Sequence, residues 1–62
     1  MDQFLQNVQE AMVAKGWNSA AAAAQINFDP DHLLELKAEG MSASAVAVEV
    51  ERQYQSRHFQ ST

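Results

Sequence analysis

The stretch Ile26-Asn27-Phe28-Asp29-Pro30 decides the predicted fold, because it carries the signals that end one helix and begin another. Asn27 can take the left-handed C′ position that closes a helix. Asp29 can cap the next helix through its carboxylate, and the proline after it suits the first helical position, where an N–H is not needed. Phe28 can pack onto the new helix as a hydrophobic staple. We therefore predict a structural corner with its phenylalanine turned inward.

Two further junctions repeat this pattern, in the sequences Gly16-Trp17-Asn18 and Gly40-Met41-Ser42. In each of them a glycine can end one helix and a polar residue can cap the next. Three junctions in 62 residues predict a single all-α domain over residues 1–62, a compact bundle of four short helices. The predicted helices run from a cap at Asp2 to about Lys15, from Asn18 or Ser19 to Gln25, from Pro30 to about Glu39, and from a cap at Ser42 to about Phe59. We expect residues 60–62 to fray.

Apolar residues at helical spacing predict which helix faces form the core. We expect Phe28 to pack on Leu33 of the third helix, and Trp17 to be a core residue rather than a ligand platform. The alanines from Ala20 to Ala24 predict a smooth second helix at the centre of the fold, which neighbouring helices can approach closely. The predicted core stripes are Phe4, Leu5, Val8, Ala11 and Met12 in the first helix, and Ala43, Val46, Ala47, Val50 and Tyr54 in the fourth.

Composition narrows the class of protein and its surroundings. The chain has no cysteine, so we expect no disulfide framework and a reducing, cytoplasmic compartment. Its first residues lack the basic and long apolar segments of a signal peptide, and the small-residue run from Ser19 to Ala24 is too short to cross a membrane. The formal net charge of −4 argues against nucleic acid, because proteins that bind it usually present a basic patch.

No residue pattern indicates catalysis, a cofactor or a metal. His32, His58 and the scattered serines and carboxylates fall into no catalytic motif, and so small a domain encloses little of a cleft. The segment Asp29-Pro30-Asp31-His32 offers carboxylate and imidazole groups, but it lacks the glycine turn and distal glutamate of a calcium loop. We interpret it as a helix cap, a first-turn acid and a surface histidine. We therefore predict a non-enzymatic protein without cofactor or metal.

The segment from Ala23 to Leu36 resembles the helix-turn-helix family. That family places a small residue in one helix, an apolar–Asn–apolar turn with a cap, and two apolar residues in the next helix. These places are filled by Ala23, Ile26, Asn27, Phe28, Asp29, Leu33 and Leu36. The segment from Leu36 to Val46 fits a second, overlapping frame. The resemblance implies a helix-turn-helix-like bundle, and a dimeric DNA-binding transcription regulator is therefore the alternative function.

The residues that would meet DNA depart from that family's pattern. In the first frame the recognition helix carries several carboxylates and one cation, namely Asp29, Asp31, Glu35 and Glu39 against Lys37. Carboxylates would repel phosphates, whereas base reading uses arginine, lysine, asparagine or glutamine. In the second frame the leading residues, Ala43 to Val48, are mostly small or apolar. We therefore place DNA second to a protein partner.

The segment Lys15-Gly16-Trp17-Asn18, followed by an alanine-rich helix and a third helix, is similar to the ubiquitin-associated domains. Those three-helix domains use a Met-Gly-Phe-type loop as part of a protein-binding surface. Here Lys15 stands in place of the methionine and Trp17 in place of the phenylalanine. This resemblance implies a protein partner.

Apolar residues that the core stripes leave over indicate a binding surface. They are Val13, Leu34, Val48 and Phe59. We predict a small regulatory, adaptor or inhibitor protein that binds another protein through an apolar patch with an acidic rim. The predicted protein-binding residues are Leu34, Val48 and Phe59, with Asp31, Glu35, Glu49 and Glu51 at the rim. We also expect a homodimer through the fourth helix (42–59), on the side of Val48, Arg52, Gln55 and Phe59, because so small a core gains stability from self-association.

Overall fold

Four helices follow one another in the described part of the chain: α1 (Gln3–Ala14), α2 (Ser19–Phe28), α3 (Pro30–Ala38) and α4 (Ala43–Gln60). The structure, a computed structural model, describes the backbone of residues 2–60 and the side chains of residues 2–57. The radius of gyration is 11.0 Å, close to the value of about 10.6 Å expected for a folded chain of this length. The predicted all-α bundle of four short helices is confirmed.

Side-chain caps at the residues that the sequence predicts begin α1, α2 and α4. The Asp2 carboxylate accepts a hydrogen bond from the Phe4 N–H at 2.8 Å, and the Asn18 side-chain oxygen accepts one from the Ala20 N–H at 2.8 Å. The Ser42 hydroxyl accepts from the Ala45 N–H at 3.2 Å. Each cap satisfies a backbone donor that the first turn of a helix leaves without a partner.

Two glycines end α1 and α3 in the left-handed conformation, with φ of 107° at Gly16 and 95° at Gly40. After α1, the Trp17 N–H donates to the Met12 carbonyl at 3.1 Å and the Gly16 N–H donates to Val13 at 2.9 Å. The same pair of bonds closes α3, from Met41 to Leu36 and from Gly40 to Lys37. This is the Schellman arrangement, which requires a residue that tolerates positive φ.

Substitution of Gly40 by alanine is expected to destabilise the fold by about 1–2 kcal/mol, because a Cβ makes the left-handed conformation unfavourable. A Cβ built at Gly40 meets no atom within 4 Å, so the cost is conformational and not steric crowding by neighbours. Urea unfolding followed by circular dichroism measures it. The Gly40→Asn variant is the matched control and should lose less, since asparagine tolerates this conformation better. Equal midpoints for wild type and Gly40→Ala would contradict the assignment.

The corner between α2 and α3 differs from the prediction. No described non-glycine residue has positive φ, so Asn27 does not take the left-handed position; it lies inside α2, which continues through Phe28. Asp29 alone separates the two helices, with φ −152° and ψ 72°, and its carboxylate accepts the His32 N–H at 3.3 Å. The prediction for Asn27 was wrong because one extended residue is enough to turn the chain here, while the predicted cap by Asp29 is confirmed.

Phe28 is 68% exposed, so the predicted inward staple onto Leu33 is also wrong. The reason lies in the extension of α2. Ile26 is fully buried, and a residue two positions later in the same helix points about 200° away from it. The helical turn that carries Ile26 into the core therefore carries Phe28 out to solvent.

The core lies where α1 meets the other three helices, and α1 packs most extensively, against α4 and α2. The alanine-rich α2 does not occupy the centre, since only Ala22 and Ile26 in it are buried. The buried residues are Leu5, Val8, Met12, Ala22, Ile26, Leu33, Val46, Ala47 and Val50. Six of the ten residues in the stripes predicted for α1 and α4 are among them, and the other four, Phe4, Ala11, Ala43 and Tyr54, are partly buried.

Trp17 packs against this core from the connection between α1 and α2, as predicted. Its ring meets the Tyr54 ring edge to face, with centroids 5.0 Å apart and planes at 77°. Such a geometry is favourable beyond the area that it buries. The contact joins the first junction to the middle of α4.

Candidate functional site

The described residues contain no cluster of three or more histidine, cysteine, aspartate or glutamate side chains placed to hold a metal ion. Nor does any helix in this part of the chain combine the length and the apolar character that crossing a bilayer requires. Exposed apolar side chains and charged groups lie on the surface of the bundle.

The residues predicted to bind a protein fall into three groups. Asp31, Glu35 and Val48 are exposed, Val48 at 44%. Leu34, Glu49 and Glu51 are partly buried, and Leu34 packs against the core. The Phe59 side chain lies outside the described residues. The role of these seven residues in binding stays a prediction.

Part of the predicted acidic rim lies along the seam between α3 and α4. The Nε2 atoms of His32 and Gln53 are 3.1 Å apart across this seam. Glu35 reaches within 4.0 Å of His32 Nδ1, and Glu49 lies one helical turn before Gln53. The structure thus brings Glu35 and Glu49 to the same side of α4.

Glu51 lies on the other side of α4 from Glu49, because side chains two positions apart in a helix point about 200° away from each other. It shares that side with Tyr54, one turn later, which faces Trp17. Its Oε2 atom is buried and has no hydrogen-bond partner among the described residues. Leu34 is partly buried against the core, so only part of its side chain can contact a partner. The predicted patch is therefore divided rather than continuous around α4.

The outer face of α4 carries three of the four residues predicted to form a dimer, whereas the side chain of the fourth, Phe59, lies outside the described residues. Val48, Arg52 and Gln55 are all exposed and follow one another at helical spacing. Arg52 pairs with Glu49 of the preceding turn at 3.4 Å. Periodicity placed this face correctly, and the pairing of two copies through it stays a prediction.

A surface that the sequence did not predict lies at the end of α2, formed by Gln25, Phe28 and Arg57; we call it the Phe28 corner. The Arg57 guanidinium lies over the Phe28 ring, 4.4 Å from its centroid, and donates a hydrogen bond to the Gln25 side-chain oxygen. The two interactions hold the end of α4 against the end of α2. The sequence signal that could have revealed it is the two-residue spacing of Ile26 and Phe28, which places them on opposite sides of a helix that continues through Phe28.

A second unpredicted surface is an open groove of about 520 Å³ between α1 and the start of α2, which we call the α1–α2 groove. Its lining residues are Gln6, Gln9, Glu10, Val13, Ala14 and Ser19. Val13 is 42% exposed here. Gln9 donates its amide to the Ser19 carbonyl at 3.1 Å and to the Ser19 hydroxyl at 3.0 Å, which joins the two walls.

Comparison of the chain with protein-family models, with curated proteins and with solved structures finds no match. The Phe28 corner, the outer face of α4 and the α1–α2 groove are therefore interpreted from their own chemistry.

Proposed function

We propose that this chain is a small non-enzymatic regulatory, adaptor or inhibitor protein of the cytoplasm, which acts by binding another protein. The observation that carries the proposal is the exposure of Phe28, which is 68% exposed. The Phe28 corner is placed at the centre of the contact. The exposed part of the predicted patch, including Val48, forms a second region of the surface open to a partner.

Burial of a phenylalanine ring stabilises a protein by about 1.5–3 kcal/mol. A domain of 62 residues has little core to spare, yet it leaves this ring in water. A partner that covers Phe28 recovers this free energy on binding.

Arg57 strengthens this interpretation, because aromatic residues and arginine dominate the binding energy of protein interfaces. Its guanidinium is already held by the Phe28 ring and by Gln25 before any partner arrives. A side chain that is ordered in advance loses less conformational entropy on association. The Phe28 corner is therefore a preorganised contact.

Charge indicates the kind of partner. The chain carries a net charge of −4, and Asp31, Glu35 and Glu49 contribute carboxylates on the α3–α4 side. Surfaces of opposite charge steer each other into encounter and suppress wrong partners. We propose a partner with a basic or mixed surface.

A second candidate, a dimeric DNA-binding regulator, is favoured by the connection between α3 and α4. The connection spans residues 39–42, turns at the left-handed Gly40, and leaves Arg52 and Gln55 exposed on the following helix. The net charge opposes this function, because DNA attracts basic surfaces. Electrophoresis with generic duplex DNA at low salt separates the two candidates, since a retarded band is expected only of the DNA-binding regulator.

Replacement of Phe28 by serine is expected to reduce partner recovery about 30-fold, the effect of a hot-spot residue worth about 2 kcal/mol. Stability should stay within about 1 kcal/mol of wild type, because the residue is mostly in solvent and loses only an exposed cation–π contact with Arg57. Affinity capture from the source cell, quantified by mass spectrometry, and urea unfolding measure the two effects.

The matched variant is Val48→Ser, which removes an exposed apolar side chain from α4. If Val48→Ser loses the partner and Phe28→Ser retains it, the contact lies on the outer face of α4. If both variants recover as much partner as wild type, neither the Phe28 corner nor the outer face of α4 binds the partner, and the proposed function is contradicted.

A further inference from the structure

The α1–α2 groove is a separate surface from the Phe28 corner. Ser19 lines the groove at the first residue of α2, whereas Phe28 is the last residue of that helix. At 1.5 Å per residue the two lie about 14 Å apart along the helix axis. A partner segment in the groove therefore does not need to touch Phe28.

Glu10 supplies an uncompensated charge beside this groove. It is exposed and makes no ion pair or hydrogen bond with any residue in the described part of the chain. Three other carboxylates have partners: Asp2 lies 4.0 Å from Lys37, Glu49 lies 3.4 Å from Arg52, and Glu35 lies 4.0 Å from His32. Asp31 and Glu39 are also exposed and form no ion pair among the described residues, but neither of them lines the groove. The nearby Lys15 forms no ion pair with Glu10. The carboxylate is therefore available to a cation from outside.

Next to this charge the groove offers an apolar strip formed by Val13 and Ala14. An exposed carboxylate beside an aliphatic strip matches a lysine or arginine side chain, which packs its stem on apolar surface and keeps its charge at the end. The groove is open to solvent and measures about 520 Å³, so an extended segment can lie along it without being enclosed. Gln6 adds an amide able to bond to a peptide backbone.

We propose that the α1–α2 groove binds a basic segment of the protein partner. A lysine or arginine side chain of that segment lies along Val13 and Ala14 with its cation at Glu10, and an adjacent apolar side chain covers the rest of the strip. The net charge of −4 draws such a segment in. This inference rests on the proposed function, because it specifies the chemistry of one part of the partner.

Fluorescence anisotropy with labelled octapeptides tests the proposal. The probes are an alternating lysine–leucine peptide, a lysine–serine peptide and a glutamate–leucine peptide. We expect the lysine–leucine peptide to bind most tightly and the glutamate–leucine peptide not to bind. Glu10→Gln should lower the affinity for the lysine–leucine peptide about 2-fold, as expected for an exposed ion pair.

Glu39→Gln is the matched control, since it removes the same charge from another exposed position. Equal weakening by Glu10→Gln and Glu39→Gln would overturn the proposal, because it would show attraction to overall charge only. Val13→Ser should lower the affinity for the lysine–leucine peptide and leave the affinity for the lysine–serine peptide nearly unchanged. Equal affinity of these two peptides for wild type would also overturn it.

Phe28→Ser should bind the peptides as wild type does, which separates this inference from the proposed function. Absence of peptide binding, together with loss of the partner in Phe28→Ser, would refute the groove alone. Sedimentation of wild type and Val13→Ser tests whether a second copy of the chain occupies the groove. A dimeric wild type with a monomeric Val13→Ser variant would assign the groove to that second copy and overturn the proposal.

Discussion

Replacement of Met12 by alanine is expected to leave the chain largely unfolded at room temperature. Met12 is fully buried and is among the largest side chains that the core encloses completely. Truncation of such a residue to alanine costs about 2–5 kcal/mol, from lost burial and from the cavity that remains. A single core of this size rarely supplies more than about 3–5 kcal/mol of net stability. Far-UV circular dichroism and urea unfolding measure the loss.

The matched control is Val13→Ala, at the next residue of α1. Val13 is 42% exposed, so its truncation should change stability by no more than about 0.5 kcal/mol. Met12→Ala changes helix propensity little and Val13→Ala raises it slightly, so a loss of stability in Met12→Ala reports lost packing and not a weaker helix. A Met12→Ala variant with a cooperative transition at the wild-type midpoint would place Met12 outside the core.

The second large effect is expected from enlargement of Ala22 to leucine. Ala22 is fully buried in α2, so the added carbon atoms must displace neighbouring side chains. Overpacking of this kind typically costs about 1–3 kcal/mol. In a domain of this length each kcal/mol lowers the melting temperature by about 4–8 °C, which thermal unfolding followed by circular dichroism resolves.

Ala21→Leu serves as its control, because Ala21 is exposed. Leucine and alanine are both strong helix formers, so the helix itself is affected little at either position. We expect Ala21→Leu to melt close to wild type. Similar losses at both positions would mean that α2 packs through a different face.

Helix boundaries at Gly16 and Gly40 could be predicted because they depend on local backbone energies. Glycine is favoured at positive φ, and a polar residue two positions later caps the next helix. The corner at Asp29 was harder to predict, because the residues before it are compatible with two different ends of α2. Asn27 can end a helix or continue it, and the continued helix is observed.

The candidate surfaces were predictable only where helical periodicity decides exposure. Val48, Arg52 and Gln55 lie on the outer face of α4 because Val46, Ala47 and Val50, on the opposite side of the helix, fill the core. The exposure of Phe28 depends on where α2 ends, and its contact with Arg57 joins residues far apart in the sequence. The groove depends on how α1 and α2 are placed side by side, which periodicity within one helix does not specify.

The alanines from Ala20 to Ala24 show which property the sequence determines alone and which property depends on the tertiary structure. Their composition predicts a helix, because alanine has the highest helix propensity, and the Asn18 cap and the Gly16 turn define where it starts. Identical side chains give no indication of which face turns inward. Only the packing of α2 in the bundle buries Ala22 and leaves Ala21 in solvent, because burial is a property of neighbouring helices and propensity is a property of the local chain.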